Sequence, residues 1–335
     1  MLTASKHRQI TDRLTEELAQ IGTRFNSELA SDLACVNQLV AHVERYRGKM
    51  LRPILVVVTG MATSPTTQEI TEGHRVVATV VEMVHMATLV HDDILDDAEI
   101  RRRGATVNHL RGNETAVMLG DYLISHAYHL CSSLPSPAVS RMIADTTNTV
   151  CEGELLQLAN RDNWLLDEAT YFEIIRRKTA SLCGMCCKLG GMLNDADGPT
   201  CENLYQYGEQ LGIAFQIVDD VLDLTGDERT VGKTLGRDLA KGKLTLPLIR
   251  WARSQGEGDE AQDLLRRAAK LDSPDAADAV AELRRRVAAG GSVDDAQRTA
   301  ARMVAHAKAL IDDLPASPSR ELLLSMADAV ITRKF

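Results

Sequence analysis

Apolar side chains recur every three or four positions over 10–43, 75–94, 115–134, 138–158, 170–193, 201–224 and 293–314. That spacing puts them on one face of an α-helix, and Ala, Leu, Glu, Arg and Gln, the stronger helix formers, fill much of the remainder. Pro and Gly cluster between these stretches, at 64–65, 133–137, 198–199, 256–258, 273–274, 290–291 and 315–318. Such clusters mark turns. No run alternates apolar and polar residues between turn signals, and there is no Asn-Gly hairpin or short-period repeat. The pattern predicts an all-α chain of about ten helices or more. No stretch reads as an interdomain linker, so residues 1–335 are expected to form one domain. The runs at 76–81 and 211–222 are apolar on nearly every face, as in helices surrounded by neighbours inside a bundle.

Composition narrows the partners. The chain has 335 residues, 44% hydrophobic, with 38 Lys and Arg against 47 Asp and Glu. The resulting net charge of −9 argues against nucleic acid, whose phosphates need a basic surface. Seven cysteines in no regular spacing exclude a complete disulfide framework and point to a reducing, cytoplasmic setting. No apolar run follows the charges near residue 1, so no secretory signal is expected. The most apolar window, 76–90, is interrupted by Glu82 and His85 and is too short to span a bilayer.

What interrupts the apolar helices is acidic. His91-Asp92-Asp93-Ile94-Leu95-Asp96-Asp97 follows one, and Asp219-Asp220-Val221-Leu222-Asp223 lies within another. Both read Asp-Asp-x-x-Asp, which stacks Asp92 over Asp96 and Asp219 over Asp223 on one helical face. Like charges so placed repel, and burying them without a cation is costly. A bland reading makes them solvated helix ends with capping acids. Two copies of one spacing favour a paired metal site instead. Carboxylate oxygens suit a hard divalent cation, and Mg²⁺ commonly bridges such acids to substrate phosphates. Neither cluster has the alternating acids and central Gly of a calcium loop.

Basic stretches supply the other half of a diphosphate site: Gly48 to Pro53, Arg101 to Gly104, Arg177 to Thr179, and Gly232 to Lys243. Each adjoins Gly, Pro or an acid helix, and cations beside such acids are what a departing diphosphate needs.

These motifs, in order, resemble those of the trans-isoprenyl diphosphate synthases (polyprenyl synthetases), most closely the medium- and long-chain branch. The resemblance rests on Gly-Lys-x-x-Arg-Pro at 48–53, Glu-x-x-His at 82–85, the cluster at 91–96 and its following arginines. It continues with Gly120-Asp121, Gly-Glu-x-x-Gln at 153–157, Lys178-Thr179, Phe215 to Asp223, and Gly232 to Lys243. It implies an all-α isoprenyl-synthase bundle with a central active-site cavity. It also implies a homodimer, and a reaction joining isopentenyl diphosphate to an allylic diphosphate with Mg²⁺. By the same resemblance, Asp92, Asp96 and Asp219 ligate Mg²⁺, with Asp93, Asp220 and Asp223 supporting them. Arg101, Lys178, Lys233 and Lys243 contact the allylic diphosphate. Lys49, Arg52, His85 and Arg102 hold the diphosphate of isopentenyl diphosphate in a metal-free pocket. Thr179 and Gln216 lie near the allylic carbon.

The chain departs from the family pattern at Met50, where Arg is common, in having three arginines at 101–103, and at Leu244, where Pro is common. In the family the growing chain runs beside the first acid helix, past the positions of Val80, Val84, Ala87 and Thr88. No aromatic occurs from Arg75 to His91, so a product of C30 to C50 is expected, with Tyr122 or Tyr128 as candidate floor. Geranylgeranyl or farnesyl synthesis is the nearer alternative, and a noncatalytic partner subunit or prenyl-diphosphate binder the more distant one. The half zinc knuckle at Cys183, Cys186 and Cys187 is expected to be small core residues.

Overall fold

The computed structural model describes residues 4–44, 48–64, 69–102, 104–225, 236–256, 259–270 and 273–333. The expected all-α class holds. Helices α1 (Ala4–Glu28), α2 (Ala34–Glu44), α3 (Leu51–Thr63) and α4 (Glu72–Leu95) are followed by α5 (Val107–Arg111), α6 (Asn113–Cys131) and α7 (Pro137–Ala159). Next come α8 (Glu168–Ile175), one π-helical turn (Arg176–Ala180), α9 (Ser181–Met192) and α10 (Gly198–Thr225). The series ends with α11 (Arg237–Ala240), α12 (Leu246–Ser254), α13 (Asp259–Ala269), α14 (Ala276–Ala289), α15 (Ser292–Leu310) and α16 (Pro318–Thr332). Among the described residues the only strands are β1 (Ile100–Arg101) and β2 (Gly104–Ala105), an antiparallel pair with Arg101 opposite Gly104.

Three details differ from the periodicity. The stretch 10–43 is two helices, because Asn37 accepts from the Ser31 N–H (3.0 Å) and donates to the Ser31 carbonyl (2.7 Å). Those side-chain bonds offer the backbone a turn in place of the helical ladder. The stretch 170–193 carries the π turn, and Arg101 and Arg102, after the first acid cluster, sit in the β1–β2 hairpin.

The chain divides into two compact units. The first comprises Met1–Thr147, Met185–Tyr205 and Asp313–Leu323, and the second Asn148–Gly184, Gln206–Asp312 and Leu324–Phe335. In the first, α4 packs chiefly on α6 and α3, and Val57, Met61, Val77, Val81, Met83 and Val84 are fully buried. Helix α4 starts at a capping box in which His74 takes the place of the usual Glu or Gln. Thr71 N–H donates to His74 Nδ1 (3.2 Å), so the proton is on Nε2, which donates to the Gly190 carbonyl (3.0 Å). A Cβ at Gly60 would stand 2.5 Å from His74 Nε2, so α3 approaches this ring only through glycine. Burial lowers the His74 pKa and keeps the ring neutral. In the second unit Trp251, Tyr207, Ile217, Leu265 and Val287 are buried. No described helix is long and apolar enough to cross a membrane, and none of the seven cysteines is in a disulfide. Cys183, Cys186 and Cys187 are buried, as expected of small core residues.

Candidate functional site

In the first unit the acids come at the end of α4. Asp92 and Asp93 occupy its last turn, and Asp96 is the residue that caps it, its N–H bonded to the Asp92 carbonyl at 2.9 Å. Capping acids belong at helix N-termini; a carboxyl end already carries negative dipole charge, which opposes more. The bland reading of these residues as caps therefore fails on position.

The first and second acids of the cluster behave differently. Asp93 is 1% exposed, and Arg101 reaches back from the hairpin to hold it, with Nε at 2.8 and 3.0 Å from its two oxygens and Nη2 at 2.7 Å. Asp92 and Asp96 are half-buried and border solvent. His91 packs its ring on Gly120, where any Cβ would collide with it, and faces the Val117 carbonyl (3.4 Å) and Asp121 (3.6 Å). That contact gives the Gly120-Asp121 pair a physical reason.

A cationic pocket lies in the same unit. Arg52 stands in the first turn of α3, and Arg102 takes a left-handed conformation (φ 47°) in the hairpin turn. Its guanidinium lies where a side chain on Gly48 would be, which explains the glycine before Lys49. Lys49 is exposed. Burial first, and then Arg52, Arg102 and Arg101, hold the His85 pKa well below its usual value. His85 is thus a neutral donor among arginines. Its Nδ1 and the Nε of Arg52 are buried without a hydrogen-bond partner, an unusual cost in a folded interior and one that an anionic ligand would relieve.

The second unit holds a cavity of about 160 Å³. Lys178, Thr179, Gln216, Asp220 and Lys243 line it, so five of the expected residues meet in one place. Lys178 and Thr179 are consecutive, yet both line the cavity. They sit in the π turn, which widens the helix locally and recurs at functional sites. Two glycines make room for it: a Cβ at Gly153 would be 2.5 Å from Lys178 N, and one at Gly212 2.5 Å from Ala180 Cα. Lys178 donates to Gln157 Oε1 (2.9 Å) and pairs with Glu154, both from the Gly-Glu-x-x-Gln motif. Gly242, at φ 69°, lies against Asp162 and accepts from its N–H at 2.9 Å, anchoring the turn that carries Lys243. Lys233 lies outside the described residues.

The second acid cluster also comes near a helix end, in the last turns of α10. Asp219 is exposed, whereas Asp220 is 4% exposed. Tyr171 donates to Asp220 Oδ2 (2.6 Å), Gln216 Nε2 donates to Oδ1 (2.8 Å), and Thr179 donates to Gln216 Oε1 (3.2 Å). Asp238, half-buried here, donates its N–H to Asp223 Oδ2 (3.3 Å). Burial and the neighbouring acids raise Asp220 and Asp223 and push Asp238 up to about 6. Acids that raise one another in this way fit a divalent cation, which would reverse the repulsion. Among the described residues no three His, Cys, Asp or Glu side chains are grouped so as to hold a metal ion by themselves.

Tyr171, Asp238, Glu154 and Arg333 are contacts that the spacing did not single out. Asp238 and Glu154 stand inside quoted motifs, but a Tyr at helical spacing reads as core. Arg333 pairs with Asp219 (3.0 Å) and lies over the Phe215 ring (4.4 Å). Of the chain-length positions, Val80, Val84 and Ala87 are fully buried in α4, and Thr88 is half-buried with its hydroxyl on the His85 carbonyl (2.8 Å). Tyr128 is 42% exposed on α6, which does not suit the buried floor expected of it, because its position turns outward from the α4 contact. Tyr122 instead is half-buried, donating to the Leu29 carbonyl at 3.2 Å.

Comparison with known proteins agrees with this chemistry. Residues 34–285 match the family model described as polyprenyl synthetase. Octaprenyl diphosphate synthase of Escherichia coli (strain K12) is 32% identical over 327 residues, 97% of this chain and 98% of that protein. A prenyl transferase of Synechocystis is 36% identical over 292 residues, 87% of this chain and 88% of that protein. Among solved structures, a decaprenyl diphosphate synthase from Rhodobacter capsulatus superposes with a TM-score of 0.89 at 31% identity. That match covers 98% of this chain and 99% of the other.

Proposed function

The chain belongs to the polyprenyl synthetase family, and from that premise we propose how its residues divide the work of a trans-prenyltransferase of the medium- to long-chain kind. The substrates are isopentenyl diphosphate and an allylic diphosphate. Lys178, Lys243, Lys233 and Arg101 take the allylic diphosphate, and Lys49, Arg52, Arg102 and His85 take that of isopentenyl diphosphate. Asp92, Asp96 and Asp219 hold Mg²⁺, with Asp93, Asp220 and Asp223 behind them. When bound, Mg²⁺ neutralises diphosphate charge and eases its departure.

The allylic C–O bond breaks with its electron pair leaving on the diphosphate. Lys178 and Lys243 stabilise that charge, and the Thr179 and Gln216 oxygens face the allylic cation. The double bond of isopentenyl diphosphate then attacks the allylic cation, forming the new C–C bond, and the resulting cation gives up a proton to the released diphosphate, leaving a trans double bond. The observation that carries the reading is the cavity in which Lys178, Thr179, Gln216, Asp220 and Lys243 converge.

The whole chain acts as one synthase domain in this account. The absence of an aromatic from Arg75 to His91 and the full burial of Ala87 favour C30 to C50 over geranylgeranyl or farnesyl products. Both acid clusters are intact, which favours an enzyme over a noncatalytic subunit. Exposed Val117, Met118 and Tyr128 on α6 offer an apolar face for a homodimer. Seven cysteines without a disulfide suit the cytoplasm. Incubation with Mg²⁺, labelled isopentenyl diphosphate and farnesyl diphosphate, followed by sizing of the dephosphorylated products, tests the whole. A ladder ending at C30 to C50 supports it; no elongation refutes it.

A further inference from the structure

Gln216 is useful beside a cation only if its amide points one way. The carbonyl oxygen carries the negative end of the dipole and the NH₂ the positive end. In the second unit the amide nitrogen faces Asp220 Oδ1 at 2.8 Å and the oxygen faces the Thr179 hydroxyl at 3.2 Å. Rotating the amide by half a turn would aim its oxygen at a carboxylate and its NH₂ along the cavity wall. What prevents this is the carboxylate behind it, and that carboxylate is itself fixed from one side by the Tyr171 hydroxyl at 2.6 Å. All four side chains line the one cavity, and Tyr171 and Asp220 are 3% and 4% exposed. The Tyr171–Asp220 bond is therefore shielded from water. A phenol is a single donor here, because the oxygen it faces accepts.

We propose that Tyr171 is a positioning residue for the condensation: through Asp220 it locks the Gln216 amide with its oxygen toward Thr179 and the cavity, where the allylic positive charge develops. Asp220 on this view serves chiefly to orient Gln216, since Tyr171 and Gln216 occupy its two oxygens. The inference rests on the prenyltransferase reading and adds a residue to it.

The arrangement makes a specific demand on variants. Removing the Tyr171 hydroxyl leaves Asp220 Oδ2 without its donor and frees the carboxylate to turn, and the amide with it. The diphosphate contacts of Lys178 and Lys243 are untouched. Steady-state kinetics with Mg²⁺, farnesyl diphosphate and isopentenyl diphosphate on the full chain, Tyr171→Phe, Gln216→Ala and the double variant test this. Tyr171→Phe should lower kcat about tenfold or more while both KM values stay within about twofold, as for loss of orientation without loss of binding. In the double variant the losses should not multiply: its kcat should match that of Gln216→Ala within about twofold, because both changes remove one interaction. If Tyr171→Phe folds poorly by thermal unfolding, Asp220→Asn replaces it in the same cycle, with the same expectation. A kcat near wild type, a loss that multiplies with Gln216→Ala, or a rise confined to KM overturns the proposal while an active wild type leaves the reaction assigned. An inactive wild type overturns both.

Discussion

A single methyl group at Gly212 tests whether the π turn places the reacting residues. In Gly212→Ala the new Cβ would lie 2.5 Å from Ala180 Cα and 2.9 Å from Ala180 Cβ. Ordinary carbon contacts begin near 4 Å, so helix α10 and the π turn must separate by about 1 Å. The obstacle is backbone, with no flexible side chain to swing aside. Overpacking of this kind costs about 1–3 kcal/mol, and Ala in place of a helical Gly returns at most about 1 kcal/mol. The net loss is then about 0–2 kcal/mol, a fall of a few degrees in Tm. Activity should suffer far more. Thr179 and Lys178 precede Ala180 directly, and a 1 Å displacement of reacting groups costs about 100-fold in kcat. Gly198→Ala at the start of the same helix is the control, since nothing lies within 4 Å of its Cβ. Melting curves and initial rates for both variants give the answer. A Gly212→Ala enzyme with kcat within about twofold of wild type refutes the idea that this close approach sets the site.

Other outcomes follow from the same geometry. Ala87→Phe, at a fully buried position of α4, should shorten the product by several five-carbon units in the chromatographic assay; unchanged product length removes Ala87 from the chain-length wall. Arg52→Lys keeps the charge but loses the fork whose Nε is buried without a partner, so KM for isopentenyl diphosphate should rise about 10- to 100-fold. KM for the allylic substrate should change little, and equal rises for both would contradict the two-pocket division. His74 and His85 both titrate below their ordinary value in the fold, so the unfolded chain takes up protons first on acidification. The histidine contribution should be full above pH 6.5 and fall as pH drops below it, by up to about 1.4 kcal/mol per pH unit for each histidine, while the raised Asp220, Asp223 and Asp238 act with the opposite sign. Urea melts at pH 7.5 and 5.5 of the wild type and of His74→Gln, which restores a common capping-box residue, isolate the share of His74. The variant should lose less stability, or gain more, on acidification, and an equal change in both proteins contradicts the assignment.

Much of this site was legible because its chemistry is periodic. Acids four apart at the close of an apolar helix show in a linear pattern, as do Gly48, Lys49 and Arg52 in one turn. Other features leave no mark in a 3.6-residue period. The π turn inserts its extra residue within a continuous apolar run, and only the opposing Gly153 and Gly212, distant in sequence, reveal why it is tolerated. The break after α1 comes from the Asn37 side chain reaching back to Ser31, which spacing does not record. Tyr171 carries no signal apart from core packing until its hydroxyl is seen against Asp220. The spacing put one acid cluster after an apolar run and the other within one, and the observed place at the carboxyl end of α4 is what excludes the capping role there. Tyr128 failed as a floor because helical phase alone, without knowing which face of α6 meets α4, cannot separate buried from exposed.

In the proposed function the two Asp-Asp-x-x-Asp clusters share one magnesium diphosphate. A crystal structure of the chain with Mn²⁺ in place of Mg²⁺ and a thiolo analogue of an allylic diphosphate, phased for the metal's anomalous signal, would show this. Metal peaks ligated by Asp92 and Asp96 and by Asp219, bridged through the same diphosphate, are expected. Metal at one cluster alone, or a diphosphate bound away from both, would contradict it.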